Sequence, residues 1–174
     1  CFGDSAGIVF HDNGSKTTFK TPSVNYRNSC SISNQSDSLL FYAVSGYKSY
    51  YLSLQDDLCV VFDRNHNIMA NGDSMVGYVG FQEMTIVPHP ADTNIFFLFE
   101  MPQKPNKDGC YFSVIDMSQN NGMGSVIQKN ISLYQEYLHG GAAVKSGDGL
   151  SWWLVLHKSS TNSLFFLFLL SKSI

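Results

Sequence analysis

The stretch Glu83–Glu100, EMTIVPHPADTNIFFLFE, decides the fold of this chain. Two short apolar segments, Met84–Val87 and Asn94–Phe99, are separated by the turn-forming residues Pro88–Thr93. β-Branched and aromatic residues are typical of strands, and proline, aspartate and asparagine between two such runs are typical of a turn. The stretch therefore predicts a pair of antiparallel β-strands.

A similar unit occurs once before this stretch and once after it. Equivalent apolar positions recur about every 55 residues, which indicates the blades of a propeller or the turns of a solenoid. The continuous apolar runs IFFLF, WWLVL and LFFLFLL predict strands that are covered on both faces, as the inner strands of a propeller are. The equivalent positions are Phe41, Phe97 and Leu154 in the second strands and Ile32, Ile86 and Val144 in the first strands.

We therefore predict an all-β, β-propeller-like fold of about three four-stranded antiparallel blades. The single domain 1–174 would comprise an N-terminal hairpin and connector at 1–30, blade 1 at 31–82, blade 2 at 83–141 and an incomplete blade 3 at 142–174. Because a closed ring needs about four to eight blades, this would be a partial or open propeller. The last blade lacks sequence for an outer strand, so we expect its edge at Leu164–Leu170 to be covered by the N-terminal strand or by a neighbouring molecule.

Charge and the length of the apolar runs argue against a nucleic-acid partner and against a membrane span. Charged residues make up 14% of the 174 residues, and the net charge is −3. Such a chain has no positive field that would attract a phosphate backbone, so no nucleic acid is expected. The longest apolar run, Leu164–Leu170, is far too short for a membrane-spanning helix, so no membrane span is expected.

The four cysteines, Cys1, Cys30, Cys59 and Cys110, lie far apart and form no CxxC pair. This spacing argues against a zinc ribbon or a redox motif. Disulfides, in any of three pairings, and buried free thiols remain alternatives. The chain begins without the basic and apolar regions of a signal peptide, and Cys1 is a candidate for a lipid-modified bacterial cysteine.

No metal or other cofactor is predicted. Asp63, Asn65 and Asn67 match the first half of a calcium loop, but Ile68 and Ser74 stand where that loop needs glycine and a bidentate acid. The run therefore predicts a hairpin turn. The five histidines are scattered without a metal-ligand spacing.

No catalytic residue is predicted either, and the sequence argues weakly against an enzyme. It contains no nucleophile elbow, no zinc-protease motif and no phosphate-binding glycine loop. Glu83, Glu100, Asp116 and Asp148 fall at predicted strand ends or turns, where carboxylates are usually solvated. Whether two of them form a glycosidase-type pair depends on their distance in space.

Four residues are candidates for ligand binding: Tyr47, Tyr50, Tyr51 and His89. The tyrosines lie in the polar segment GYKSYY, and exposed tyrosines among small polar residues suit binding to protein or to sugar rings. The alternative is that they cover the adjacent blade. His89 lies between two prolines in a turn that we expect to be exposed.

Several segments resemble the N-terminal propeller-like domains of Bacteroidota surface proteins. FGDSAGIVF (Phe2–Phe10) resembles the FGxxAGLDF-type opening of that family. SCSISNQSDSLLFY (Ser29–Tyr42) is similar to its first blade, and FDRNHNIMANG (Phe62–Gly72) is similar to its WNRNHQVMPNG element. Met84–Asn130 and Ala142–Leu170 resemble its second and third blades.

The resemblance implies an extracellular or cell-surface location. Proteins with this domain are often large and secreted, many carry adhesion repeats and a sorting domain for type IX secretion, and several are associated with gliding motility. The family has no established catalytic residues to carry over. Two features depart from it: the family's YTDG appears here as Tyr42-Ala43-Val44-Ser45, and the family propeller is longer than this chain.

Three functions follow as expectations. The first is a non-catalytic extracellular or cell-surface module for binding, adhesion or assembly, with a protein or a surface glycan as partner. The second is a propeller-type glycoside hydrolase or other carbohydrate-processing enzyme. The third is a structural subunit of a repeating surface assembly that self-associates through open blade edges.

Overall fold

The computed structural model describes residues 5–22, 28–47, 58–78, 83–103, 108–159 and 161–169. These residues form β-strands and one 3-10 turn (Asn120–Gly122), so the all-β prediction is confirmed. The strands are β1 (Ala6–Phe10), β2 (Lys16–Lys20), β3 (Asn28–Ser33), β4 (Leu39–Tyr47), β5 (Leu58–Asp63), β6 (Met75–Val76), β7 (Met84–Pro88), β8 (Ile95–Glu100), β9 (Cys110–Asp116), β10 (Ser125–Tyr134), β11 (Leu138–Lys145), β12 (Trp152–Lys158) and β13 (Leu164–Leu169).

The strands form four small antiparallel sheets, and within each sheet the paired strands follow one another along the chain. Sheet I is β1-β2, sheet II is β3-β4-β5-β6, sheet III is β7-β8-β9-β10 and sheet IV is β11-β12-β13. Two of these sheets therefore have the four strands expected of a blade, and sheet IV has three.

The opening stretch forms the first hairpin of sheet III. Met84 lies opposite Glu100, and the pairing continues without a shift to Pro88 and Phe96. The turn closes because the backbone N–H of His89 donates to the carbonyl of Ile95 at 2.9 Å. The strand pair predicted from sequence is confirmed.

Sheet III is covered on both faces. One face packs against sheet II, where the rings of Phe41 and Phe96 meet edge to face at 5.4 Å. The other face packs against sheet IV, where Phe99 of β8 shares a buried cluster with Leu154 and Leu156 of β12. The prediction that IFFLF is covered on both faces therefore holds for β8, because sheets lie on either side of it.

The first strands of successive sheets lie beside one another. β3 contacts β7, and β7 contacts β11. At the last strand of sheet III, the backbone N–H of Val126 in β10 donates to the carbonyl of Ala70 at 3.0 Å. Sheets II and III are thus joined both by apolar packing and by backbone hydrogen bonding.

The N-terminal hairpin lies against sheet II rather than sheet IV. β1 pairs with β2, and Phe19 of β2 packs on His66 with ring centroids 5.0 Å apart. Of the two alternatives for the edge at Leu164–Leu170, cover by the N-terminal strand is therefore wrong, and cover by a neighbouring molecule stays a prediction. The side chains of Leu164 and Phe166 are 52% and 62% exposed, so the prediction of two covered faces also fails for β13.

No helix among the described residues is long and apolar enough to cross a membrane.

Candidate functional site

Buried polar side chains meet between sheets II and III at the end where β7 begins and β8 ends. Glu83, just before β7, and Glu100, the last residue of β8, are each 1% exposed. We expected both carboxyl groups to be solvated because they stand at strand ends. That expectation is wrong, because these strand ends lie inside the contact between two sheets rather than at the surface.

Glu83 is held by a hydrogen bond from sheet II. The hydroxyl of Ser45 in β4 donates to Oε2 of Glu83 at 3.0 Å and accepts from the backbone N–H of Tyr78 at 3.0 Å. The same hydroxyl also lies against the carbonyl of Tyr78. Because a hydroxyl has one proton, Ser45 donates to one of these two acceptors at a time.

Glu100 lies in a less polar environment. Its Oε2 accepts a hydrogen bond from the hydroxyl of Ser113 at 3.1 Å, while its Oε1 has no hydrogen-bond partner among the described residues. Burial raises the pKa of Glu100 to about 8, and interactions with Ser113 and Cys59 oppose that rise. The carboxyl group is therefore mainly protonated at neutral pH.

Three cysteines in the described part of the chain are free thiols, which resolves the sequence alternatives for them. Burial raises the pKa of Cys30 and of Cys110 to about 12, and it raises the pKa of Cys59 well above its usual range. The thiolate is the nucleophilic form, so these thiols are unreactive in the folded chain. Cys1 lies outside the described residues.

The two glutamates have one feature of an acid–base pair. Glycosidases use a carboxyl group with a raised pKa together with a second carboxyl group, and here the charges of Glu100 and Glu83 both raise the pKa of Cys59. However, both Glu83 and Glu100 are almost fully buried, so a sugar cannot reach them unless sheets II and III separate. In this conformation they form a polar layer within the core.

Of the four sequence-predicted binding residues, only His89 has its side chain within the described structure. Tyr47 ends β4, but its side chain and all of Tyr50 and Tyr51 lie outside the described part. His89 is half-buried in the β7–β8 turn, where its Nδ1 accepts from the backbone N–H groups of Ala91 and Asp92 at 3.1 and 3.0 Å. This histidine closes its own turn.

Tyr47 and His89 lie at opposite ends of the packed sheets II and III. Ser45, near the end of β4, contacts Glu83 at the start of β7, whereas Phe41, near the start of β4, contacts Phe96 beside the β7–β8 turn. The backbone of Tyr47 therefore lies away from His89, and the positions of Tyr50 and Tyr51 lie outside the described residues.

The partial calcium motif forms a turn, as the sequence predicts. Oδ1 of Asp63 accepts from the backbone N–H groups of Asn65 and Asn67 at 2.8 and 3.0 Å. Asp148 closes the β11–β12 turn in the same way, with the N–H groups of Leu150 and Ser151. Among the described residues, no three histidine, cysteine or acidic side chains are grouped so that they could hold a metal ion.

Sheet IV has an exposed apolar face that was not predicted from the sequence. Val144 lies opposite Trp153 and Val155 lies opposite Phe166, so these side chains share the face that points away from sheet III. Val144, Trp153 and Phe166 are 56%, 38% and 62% exposed. The only available signal was that β13, LFFLFL, has no polar residue at alternate positions, which is also the pattern of a strand covered on both faces.

A groove of about 190 Å³ runs beside β13 on the side that faces sheet III. It is open to solvent along the strand, and its walls are mainly apolar. The lining residues are Leu133, Tyr134, Leu156, Phe165, Phe166 and Leu167.

No protein-family model, curated protein or solved structure was found to match this chain.

Proposed function

We propose that this chain is a non-catalytic binding or assembly module of an extracellular or cell-surface bacterial protein, built as an open, propeller-like array. Three observations support the array. Sheets II, III and IV have the same antiparallel strand order. They stack through apolar faces, and their first strands lie side by side, as strands around a propeller axis do.

The observation that carries the function is the open side of sheet IV, meaning the edge of β13 that no described strand covers together with the outer face around Trp153 and Phe166. Contiguous apolar surface of this kind marks interaction sites on proteins. Aromatic side chains also provide large contact area for a protein surface or a sugar ring. The partner is therefore a protein or a surface glycan.

Adhesion of coated beads tests this proposal. Beads that carry the chain should bind to a second layer of the chain or to glycan-coated surfaces, and Phe166→Lys should reduce that binding. Phe10→Lys is the matched control, since Phe10 is 74% exposed but lies on sheet I. Equal binding by wild type, Phe166→Lys and Phe10→Lys beads would overturn the proposed role of sheet IV.

The location has its own test. The resemblance to Bacteroidota surface proteins motivates an extracellular or surface placement. Protease added to intact cells that produce the protein should then cleave it. Full protection in intact cells, with cleavage after lysis, would contradict that placement.

A carbohydrate-processing enzyme is the second candidate, because Glu100, with a pKa of about 8, and Glu83 are both buried carboxyl groups whose charges raise the pKa of Cys59. The chain and its Glu100→Gln variant can be compared for release of the aryl group from aryl glycosides. Turnover by the wild type that disappears in Glu100→Gln would favour the enzyme over the binding module. We expect no turnover by either protein.

A further inference from the structure

The outermost strands of the three larger sheets differ in how well they are protected from pairing. β6 has two residues, and β10 is irregular, with register shifts at three places. Short strands and bulges are devices that keep a sheet edge from pairing with another chain. β13 has six residues in unbroken register with β12, and it contains no charge and no proline.

The hydrogen-bond pattern shows which backbone groups the open edge offers. The N–H of Lys158 donates to the carbonyl of Ser163 at 3.1 Å, so this pair is hydrogen-bonded. Because hydrogen-bonded pairs alternate along an antiparallel ladder, Phe165, Leu167 and Leu169 also bond to β12. The N–H and C=O groups of Leu164, Phe166 and Phe168 therefore point away from β12, toward the open edge.

The groove beside β13 lies where an additional strand would place its side chains. Phe165 and Tyr134 form part of its wall, with their rings 4.7 Å apart. In sheets II and III the third strand already has a fourth strand beside it, namely β6 and β10. No described strand pairs with this edge of β13, which thus offers both the backbone groups and the apolar space that a fourth strand needs.

We propose that a second copy of this chain supplies that strand, so that β13 pairs antiparallel with β13 of the partner about a two-fold axis at Phe166. This inference rests on the proposed function, because it names the partner of the open side of sheet IV. The two three-stranded sheets would then form one continuous six-stranded sheet.

Three features favour a second copy over a different partner. A register centred on Phe166 places Leu164 opposite Phe168 of the other copy, so all the outward-pointing backbone groups are paired. The strand is uncharged, so pairing it with itself opposes no like charges. Two-fold contacts that use the same patch on both subunits are also the commonest kind in homo-oligomers.

Cysteine cross-linking tests the register. In a Cys1→Ser background, Phe166→Cys should form a disulfide-linked dimer under mild oxidation, because paired Cα atoms about 5.5 Å apart suit a disulfide. Leu164→Cys is the matched control. The two copies of residue 164 would lie about 14 Å apart along the strands, so this variant should stay monomeric on the denaturing gel. Equal cross-linking of both variants, or none by Phe166→Cys, would overturn the register.

Sedimentation at increasing protein concentration tests the pairing without a cross-link. The chain should dimerise, and Phe166→Pro should weaken dimerisation at least about tenfold because it removes an N–H from the open edge while leaving the β12 ladder intact. Val144→Lys introduces a charge on the same face of sheet IV but on β11, and it should have little effect. Loss of the dimer in Val144→Lys would indicate face-to-face stacking and overturn edge pairing.

The bead experiment separates this inference from the proposed function. A chain that stays monomeric at every concentration but still binds glycan-coated beads through Phe166 would overturn the self-pairing and leave the binding module standing. A chain that dimerises through β13 and binds nothing else would support the assembly subunit.

Discussion

Ser45 of β4 donates a hydrogen bond to Glu83, at the start of β7, at 3.0 Å and thereby joins sheets II and III inside the core. Both side chains are 1% exposed. Losing a buried hydrogen bond of this kind costs stability because the polar group that loses the bond has no water to replace it.

Ser45→Ala should therefore destabilise the fold by about 1–3 kcal/mol, because it removes a partner of Glu83 and the acceptor for the N–H of Tyr78. Urea unfolding followed by fluorescence measures the loss as a lower midpoint. Ser31→Ala is the control: Ser31 is exposed on β3, so its replacement should change the unfolding free energy by less than about 0.5 kcal/mol. Equal effects of the two substitutions would contradict the role given to Ser45.

Glu100 should make the fold less stable as the pH rises from about 5 to about 8. Its pKa in the folded chain is about 8, against an ordinary value of 4.5, so the folded state holds a proton that the unfolded state has released in this range. The free energy of unfolding then falls by up to about 1.4 kcal/mol per pH unit through this one group.

Urea unfolding of wild type and Glu100→Gln at several pH values checks this. The neutral glutamine cannot ionise, so the variant should lose less stability than the wild type between pH 5 and pH 8. Glu136→Gln, at an exposed ion pair with Lys158, is the control and should keep the wild-type slope in this range. Parallel curves for the wild type and Glu100→Gln would show that Glu100 ionises normally.

Gly141 of β11 should not tolerate a larger side chain. A Cβ atom there would lie 2.8 Å from Cδ2 of Leu156, 2.8 Å from Sδ of Met101 and 2.9 Å from the carbonyl of Val155. Gly141→Ala should therefore destabilise the contact between sheets III and IV by about 1–3 kcal/mol. Thermal unfolding can compare it with Gly147→Ala in the β11–β12 turn, where no atom lies within 4 Å. A melting temperature for Gly141→Ala that matches Gly147→Ala would argue against close packing here.

The thiols of Cys59 and Cys110 should react slowly in the native chain. Both are fully buried, and burial raises the pKa of each. In a Cys1→Ser background, a thiol reagent at pH 8 should label these residues far more slowly than it labels the urea-unfolded chain. Rapid labelling of Cys59 in native protein would show that sheets II and III open readily.

Local sequence patterns predicted the local structure well. The turn between Met84–Val87 and Asn94–Phe99 and the turn at Asp63 depend on nearby side chains and backbone groups, so the sequence contains the information needed to predict them. The repeat of apolar strands likewise predicted an all-β chain made of successive antiparallel sheets.

Burial at strand ends and sheet faces was not predictable in the same way. In the sequence, Glu83 and Glu100 have the positions of solvated carboxylates at strand ends. They are buried because sheet II packs on sheet III, and that packing depends on residues far away in the sequence. The run LFFLFL has the same composition whether a sheet covers both faces or one, so the exposure of Phe166 could be recognised only from the arrangement of the sheets. The sequence predicted the N-terminal hairpin that β1 and β2 form, but it did not show that this hairpin would pack against sheet II.

Every described strand within a sheet pairs with a neighbour along the chain, so each sheet can complete its hydrogen bonding from one continuous segment. Loop closure for such pairing is short-range, which favours early formation of each sheet as the chain leaves the ribosome. Sheet duplication or deletion during evolution would also leave the ladders of the remaining sheets intact. An added sheet needs only an apolar face that packs against the apolar face of its neighbour. The number of sheets can therefore change more easily than the strand pairing within a sheet.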